Sequence, residues 1–295
     1  MTDTPLIEVN GKPPAGAACA AILARAGVRL RVFGVDETFG GLALVSRSIL
    51  EELGIAGAVT AYPIDRVTER VLSEDSATDT TAPIDDLVAV QTPEIAAALL
   101  AAAETGAASP AGDAVLRVDA TEFRLGDLEL QDDDFLPISA LEQVVQLEWT
   151  GGRPQETIWI RMTGDPLGDV RAHAALVVTP DRSALGLAVP TEALVQASIT
   201  LPDVLHRLLA QPRVAAEIPA DEPVTTSTRL LKTNGAVHLS LNGDLRVRVG
   251  AAAGLAGPLV LDRELRSGMN AGLAIAAALS EGRLSLARLS RLARP

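Results

Sequence analysis

Aromatic side chains are scarce in this chain, whose 295 residues hold two Trp, one Tyr and four Phe. A planar ligand would find few rings to stack on, so its affinity would rest on backbone and aliphatic contacts. Cysteine is scarcer still. Cys19 stands alone, which excludes an intramolecular disulfide framework and an iron–sulfur cluster held by four cysteines of this chain. Lysine is limited to Lys12 and Lys232, and 38 acidic residues outnumber 25 basic ones. The formal charge of −13 repels phosphodiester backbones and anionic headgroups, so nucleic acid is not an expected partner. No apolar run is long: the charge-free stretch from Val249 to Leu261 falls short of the roughly 18 residues that span a bilayer. The first residues are polar and acidic, without the basic n-region and apolar core of a secretory signal. The expected location is the cytoplasm.

What the chain does have is a 48% hydrophobic composition in which Ala/Leu-rich helical stretches alternate with Val-rich strands. That pattern predicts an α/β or α+β protein, and the length suits one large domain or two. Leu6 to Val9 reads as a strand, Ala15 to Ala26 as a helix ended by Gly27, and Val28 to Phe33 as a second strand. Leu42 to Leu53 reads as a helix closed by Gly54, Ala58 to Leu72 as one or two strands, and "SEDSATDTTAPIDD" as a loop. Pro93 opens a helix that runs to Glu104. Val115 to Val118 and Glu122 to Leu130 predict a hairpin.

From Leu141 the texture changes. "LEQVVQLEW", "ETIWIRM", "AHAALVVTP" and "SALGLAV" are strand-like runs punctuated by Gly, Pro and Asp, the pattern of an antiparallel sheet. Short helices are expected around Thr191 to Ala197 and Leu201 to Ala210, then strands at Val224 to Leu231, Val237 to Leu241 and Leu245 to Val249. Helices over Arg263 to Leu279 and Leu284 to Leu292 close the chain.

The opening "PLIEVNGKPPAGAACAAILARAGVRLRVF" has the order of a dinucleotide-binding unit. In such a unit the first glycine makes the tight turn, the second lets the backbone touch the pyrophosphate, and the third brings the helix close to the strand. Here the six residues read "GKPPAG", with Gly11 and Gly16 at the first and third places and Pro13 at the second. Proline has a fixed φ and no N–H to offer a phosphate. An acidic residue is expected directly after the second strand to accept the ribose hydroxyls, yet Gly34 follows "LRVF" and Asp36 comes two positions late.

The segment "PPAGAACAAILARAGVRLRVF" resembles the opening of FAD-dependent oxidoreductases of the geranylgeranyl reductase type, and of dehydrogenases related to electron-transfer-flavoprotein:quinone oxidoreductase. The likeness continues in "RVTERVLSEDSAT", "PEIAAALLAAAETGA", "ALVVTPDRSALGLAVP" and "LPDVLHRLLAQPRVAAEI". It extends to "LRVRVGAAAGLAG" with "SGMNAGLAIAAALSEGRLSLARL". The resemblance implies a Rossmann-like FAD/NAD(P)-binding-type domain, residues 1–135 and 236–295, and an antiparallel-sheet substrate-type domain, residues 136–235. It also implies a cofactor site at Gly11, Gly16, Gly250 and Gly254, of which this chain would keep only a remnant. The family's last cofactor motif carries Gly-Asp, whose carboxylate binds the ribityl chain; the matching residues here are Gly250 and Ala251. An Ala-Asp-Gly element that helps enclose FAD has no counterpart, and a block is shortened between Asp134 and Leu141.

Pro13, Gly34, Ala251 and the shortened block each remove a different contact, and a lost ligand anchor costs about 1 to 3 kcal/mol. Their sum approaches the roughly 8 kcal/mol that micromolar binding represents. The expectation is a protein without a cofactor, a silent relative of flavoenzymes acting as a binding or assembly subunit alongside an intact flavoenzyme, through a protein partner or self-association. Two alternatives stand beside it. One is an oxidoreductase that binds FAD in an altered site; the other is a cofactor-independent enzyme acting on an apolar small molecule in the remnant cavity. No catalytic acid, base or nucleophile is named by the sequence. His173, His206 and His238 lack metal-ligand spacing, Asp132 to Asp134 lack the ligand pattern of a calcium loop, and no metal is expected. Cys19 suits a buried, inert thiol. Ser183, Ser198 and Ser240 have no nucleophile-elbow context.

Overall fold

The computed structural model describes residues 5–11, 14–33, 41–72, 77–104, 113–120, 141–151, 157–164, 170, 172–219, 221, 223–232, 246–250 and 259–282. A parallel sheet forms from β1 (Leu6–Asn10), β2 (Arg29–Phe33), β6 (Ala114–Asp119) and β12 (Arg246–Arg248), in the order β12-β6-β1-β2. Parallel neighbours need a crossover, and α1 (Pro14–Arg25) supplies the one between β1 and β2. Ile7, Val9, Leu30, Leu116, Val118 and Val247 alternate with charged residues and turn one face of this sheet toward α1 and toward α7 (Asp262–Ser280).

Helix α1 is buried on nearly every side, which its alanines make possible. Ala15, Cys19, Ala20 and Leu23 meet the parallel sheet, while Ala17, Ala18 and Ala21 meet a second cluster. That cluster is built from α2 (Arg47–Glu52), α3 (Thr92–Glu104) and α7. Gly268 and Gly272 lie one turn apart on α7. A Cβ on Gly268 would stand 2.8 Å from the Ala15 carbonyl carbon, and one on Gly272 would stand 3.0 Å from the Cys19 oxygen.

The second sheet has eight strands, in the order β11-β7-β10-β9-β8-β4-β5-β3. It joins β3 (Leu42–Ser46), β4 (Ala61–Leu72) and β5 (Ala77–Gln91) to β7 (Leu141–Thr150), β8 (Ile158–Gly164), β9 (Ala172–Val178), β10 (Arg182–Pro190) and β11 (Thr225–Lys232). Every pairing is antiparallel except β4 with β8. One face packs on α4 (Thr191–Ala197), α5 (Leu201–Ala210) and α6 (Pro212–Ala215) through Leu147, Trp149, Leu176, Leu185, Leu194 and Val204. The sheet curls, so that Leu42 and Leu44 of β3 lie against Ala175, Val177 and Ala184 on the other face.

This is the expected α/β class, a Rossmann-like parallel sheet beside an antiparallel one. Two local expectations are overturned. Leu42 to Leu53, read as one helix, divides into β3 and α2. The apolar run is taken as a strand because β5 pairs along one edge of β3, and Leu44 exchanges backbone hydrogen bonds with Leu259 and Leu261 along the other. The polar run read as a loop is mostly β5, the second arm of a long hairpin with β4. Its Thr-rich half is solvated, and Pro83 stands opposite Arg66 next to a register shift in the β4–β5 ladder, the kind of irregularity where a strand accepts proline. The expected strands over Glu122 to Leu130 and Val237 to Leu241 and the helix over Leu284 to Leu292 lie outside the described residues.

Candidate functional site

An open parallel sheet takes ligands in the crevice beyond the carboxyl ends of its strands, where the strand order reverses. Here the reversal falls at β1, with β2 on one side and β6 on the other. Gly11 follows β1 with φ 103°, a conformation that favours glycine. A Cβ on Gly16 would overlap the Gly11 carbonyl oxygen and lie 2.8 Å from the Ala120 Cβ. The first and third glycines of "GKPPAG" thus have the turn and close-packing roles that the spacing predicts.

The backbone donors at these strand ends have acceptors within the protein. Gly11 N–H donates to the Phe33 oxygen at 2.8 Å, Ala120 N–H to the Asn10 oxygen at 2.7 Å, and Val249 N–H to the Asp119 oxygen at 2.9 Å. Gly250 N–H donates to Ser267 Oγ at 3.1 Å. Helix α1 begins at Pro14, which has no N–H, and the next donors, on Ala15 and Gly16, have no acceptor within their own helix. Both residues are buried.

Gly250, with φ 57°, ends the β12 segment against α1 and α7. A Cβ there would lie 2.5 Å from the Ala15 Cβ and 2.9 Å from Glu264 Cγ. Glu264 belongs to the first turn of α7 and is only 3% exposed. Beside it, Asp262 accepts hydrogen bonds from Ser46 N–H at 2.8 Å and from Ser46 Oγ, tying the start of α7 to the end of β3. Neither acidic residue was singled out from the sequence. The available signal was the α7 pattern itself: Glu264, Gly268, Ala271 and Ile275 share a buried stripe, and a charge on such a stripe is unusual.

A second polar cluster lies on the face of the large sheet turned away from α4 and α5. Val145, Leu147 and Trp149 point to the helices, so Glu142, Val144, Gln146 and Glu148 point the other way. Gln146 Nε2 donates to Glu148 Oε1 at 2.8 Å, and both residues are buried. Gly41 covers the carboxylate so closely that a Cβ there would overlap it. Burial pushes the Glu142 carboxyl upward, and the nearby His173 opposes that shift.

Of the other sequence candidates, Cys19 is buried and its thiol is pushed up to about 12, which keeps it un-ionised. Ser183 Oγ donates to the Gly151 oxygen at 3.2 Å, Ser198 ends α4 in a left-handed conformation, and His173 and His206 are exposed. Among the described residues no three His, Cys, Asp or Glu side chains group as metal ligands, and no helix is long and apolar enough to cross a membrane. Pro13, Gly34, Asp36, Asp132 to Asp134, His238, Ser240, Ala251 and Gly254 lie outside the described residues.

No protein-family model matches the chain, and no curated protein does. Solved structures do. A geranylgeranyl bacteriochlorophyll reductase-like protein from Thermoplasma acidophilum superposes with a TM-score of 0.72 at 13% identity, over 98% of this chain and 82% of that one. PqsL, a probable FAD-dependent monooxygenase from Pseudomonas aeruginosa, gives 0.64 at 13% identity over 97% and 90%. The peptidyl tryptophan dihydroxylase QhpG gives 0.65 at 17% identity over 98% and 71%. At such identities the likeness concerns architecture, and the chain has the fold of the FAD-dependent oxidoreductases.

Proposed function

We propose that this protein uses a flavoenzyme fold without the flavin, as a cytoplasmic binding or assembly subunit that retains a remnant nucleotide seat at Gly11, Gly16, Gly250 and Gly254. The observation that carries the reading is the donor set at the carboxyl ends of the parallel strands. Gly11 and Gly250 give their N–H groups to Phe33 and Ser267, and Pro14 has none to give. Pro13, at the place where the second glycine would approach a pyrophosphate, has none either. The glycine conformations that serve packing are kept, while the Gly11 and Gly250 donors are spent, Pro13 and Pro14 have none, and only the N–H groups of Ala15 and Gly16 at the start of α1 remain. That reduced donor set is a poor fit for an FAD pyrophosphate.

A second reading is that FAD binds in an altered site and the protein is an oxidoreductase. The positive φ of Gly11 and the close packing of Gly16 favour it, as do FAD-dependent neighbours of the same fold. One measurement separates the two: the visible spectrum of the purified protein before and after excess FAD and removal of the unbound fraction. The first reading expects no colour in either sample. Flavin bands that survive the wash overturn it in favour of the second, since those bands belong to the cofactor and report its retention.

A further inference from the structure

Away from the parallel sheet, a cavity of about 300 Å³ opens at the end of the large sheet where β7 and β9 finish and β10 begins. That volume lies at the lower end of the range that holds small organic ligands. The strand ends supply one wall through Gly151, Val178 and Ser183. The chain that leaves α6 supplies the other through Ala216, Glu217, Ile218 and Asp221.

Both walls are fixed by the protein's own contacts. Gly151 has φ 91°, its N–H donates to the Asp181 oxygen at 2.7 Å, and its carbonyl accepts from Ser183 Oγ at 3.2 Å. A Cβ on Gly151 would meet nothing within 4 Å, so the glycine is required by the turn and leaves open space beside it. On the facing wall, Trp149 Nε1 donates to the Asp221 oxygen at 3.0 Å and Glu217 lies 3.7 Å from Arg70, which pins the chain after α6 to the sheet at two points. A cavity with walls tied in this way needs little ordering when it is filled.

The lining selects by charge. It carries two carboxylates, Glu217 and Asp221, and no basic side chain. Arg70, which approaches Glu217, already holds both oxygens of Asp79, and Asp221 has no ion pair among the described residues. Two acids are too few to hold a metal ion, and among the described residues no third ligand joins them. Val178 and Ile218 offer apolar surface in the same cavity, which suits a carbon body rather than a bare ion. We infer that this cavity binds a small organic ammonium ion, its charged nitrogen at the Asp221 carboxylate and its carbon body against Val178 and Ile218. The inference goes beyond the cofactor-free reading and does not depend on it, because the cavity belongs to the large sheet and uses none of Gly11, Gly16, Gly250 or Gly254.

The test titrates the full chain by calorimetry with cyclohexylamine, using cyclohexanol and cyclohexanecarboxylate as probes of similar shape without the positive charge. Wild type should bind the amine about tenfold more tightly than the alcohol, and the carboxylate not at all. Asp221→Asn removes the charge but keeps the side-chain shape and the backbone carbonyl that Trp149 uses. It should weaken the amine about tenfold and leave the alcohol unchanged. Ala216→Leu fills the cavity from an exposed position and should abolish binding of both, with a circular dichroism spectrum matching wild type. The inference is overturned if the amine binds no more tightly than the alcohol, if it shows no binding up to about 10 mM, or if its affinity is undiminished in either variant. None of these outcomes bears on flavin retention, which the visible spectrum reads separately.

Discussion

The two sheets of this molecule are held together in opposite ways. Around the parallel sheet the decisive contacts are made by the absence of side chains: Gly16 on Gly11, Gly268 on Ala15, Gly272 on Cys19. Where the β4–β5 hairpin of the large sheet meets α6, the apolar core is closed instead by long charged side chains. Arg70 on β4 donates from Nε and Nη2 to the two oxygens of Asp79 at 2.8 and 2.9 Å, and from Nη1 to the Arg213 carbonyl at 2.7 Å. Arg213 returns to Asp79 at 3.2 Å, and Glu217 lies 3.7 Å from Arg70. The first region tolerates no added volume, and the second tolerates no lost charge. A ligand site of the fold type lies in the first region, so its residues are constrained by packing before any binding role is considered.

The sharpest way to break this contrast is to add atoms to the glycine-packed region. Gly268→Val would drive a branched side chain into the Ala15 backbone, 2.8 Å from its carbonyl carbon at the first added atom, so α7 must leave α1. A loss of about 4 kcal/mol or more is expected, enough to leave little folded protein. Gly57→Ala is the control, because nothing lies within 4 Å of a Cβ there, and it should leave the urea midpoint nearly unchanged. Equal effects of the two substitutions would refute the packing argument.

Next in size is the loss of charge from the other region. Arg70 is 5% exposed, and Arg70→Ala leaves Asp79 and the Arg213 carbonyl without their main donor. About 3 kcal/mol is expected at neutral pH from breaking so well-bonded a pair. The hydrogen bond from Arg70 is the main reason that Asp79 is held below the ordinary carboxylate range. A depressed carboxylate contributes its stability above the unfolded value near 3.9, and loses it as pH falls through the lower folded value. The gap between wild type and Arg70→Ala should therefore narrow in acid below about pH 4. A gap that stays constant with pH would assign the loss to packing of the arginine stem instead.

The same contrast explains which parts of the structure the sequence discloses. Regions built on pattern are legible: α1 from its alanines and Gly27, and α5 from Thr200, Pro202 and Asp203, whose capping box closes the first turn. β7 to β10 are legible from apolar runs between turn residues. The glycine spacing of "GKPPAG" discloses the tight turn at Gly11 and the close helix-to-strand approach at Gly16. Leu42 to Leu53 misleads because a short apolar run has no period to separate strand from helix, and partners distant in sequence, β5 and Leu259 to Leu261, decide the matter. β5 misleads because a solvated hairpin arm has the composition of a loop. The burial of Glu264 is hidden for a different reason: it depends on Gly250 and Ala15, residues brought to it only by the closing of α7 on α1.

The smallest expected effect lies on the polar face of the large sheet and is a gain. Glu142 opens β7 opposite Pro190 of β10, and burial raises its carboxyl above the ordinary glutamate range, with His173 pulling in the other direction. A raised acid has the opposite sign to Asp79: the folded state holds its proton more tightly than the unfolded chain does. Stability is fully present below the unfolded value near 4.3 and declines as pH rises toward the higher folded value. At neutral pH the ionised carboxylate is a net cost, and Glu142→Gln removes it while keeping the shape of the side chain. The variant should be more stable than wild type by about 0.5 to 1 kcal/mol at pH 7, and no more stable at pH 3, where the wild-type carboxyl is already neutral. Thermal melts at the two pH values separate this from a packing effect, which would appear equally at both. A loss at pH 7 would instead mean that Glu142 is held in its charged form by His173, and that this corner of the sheet belongs with the Arg70 network rather than apart from it.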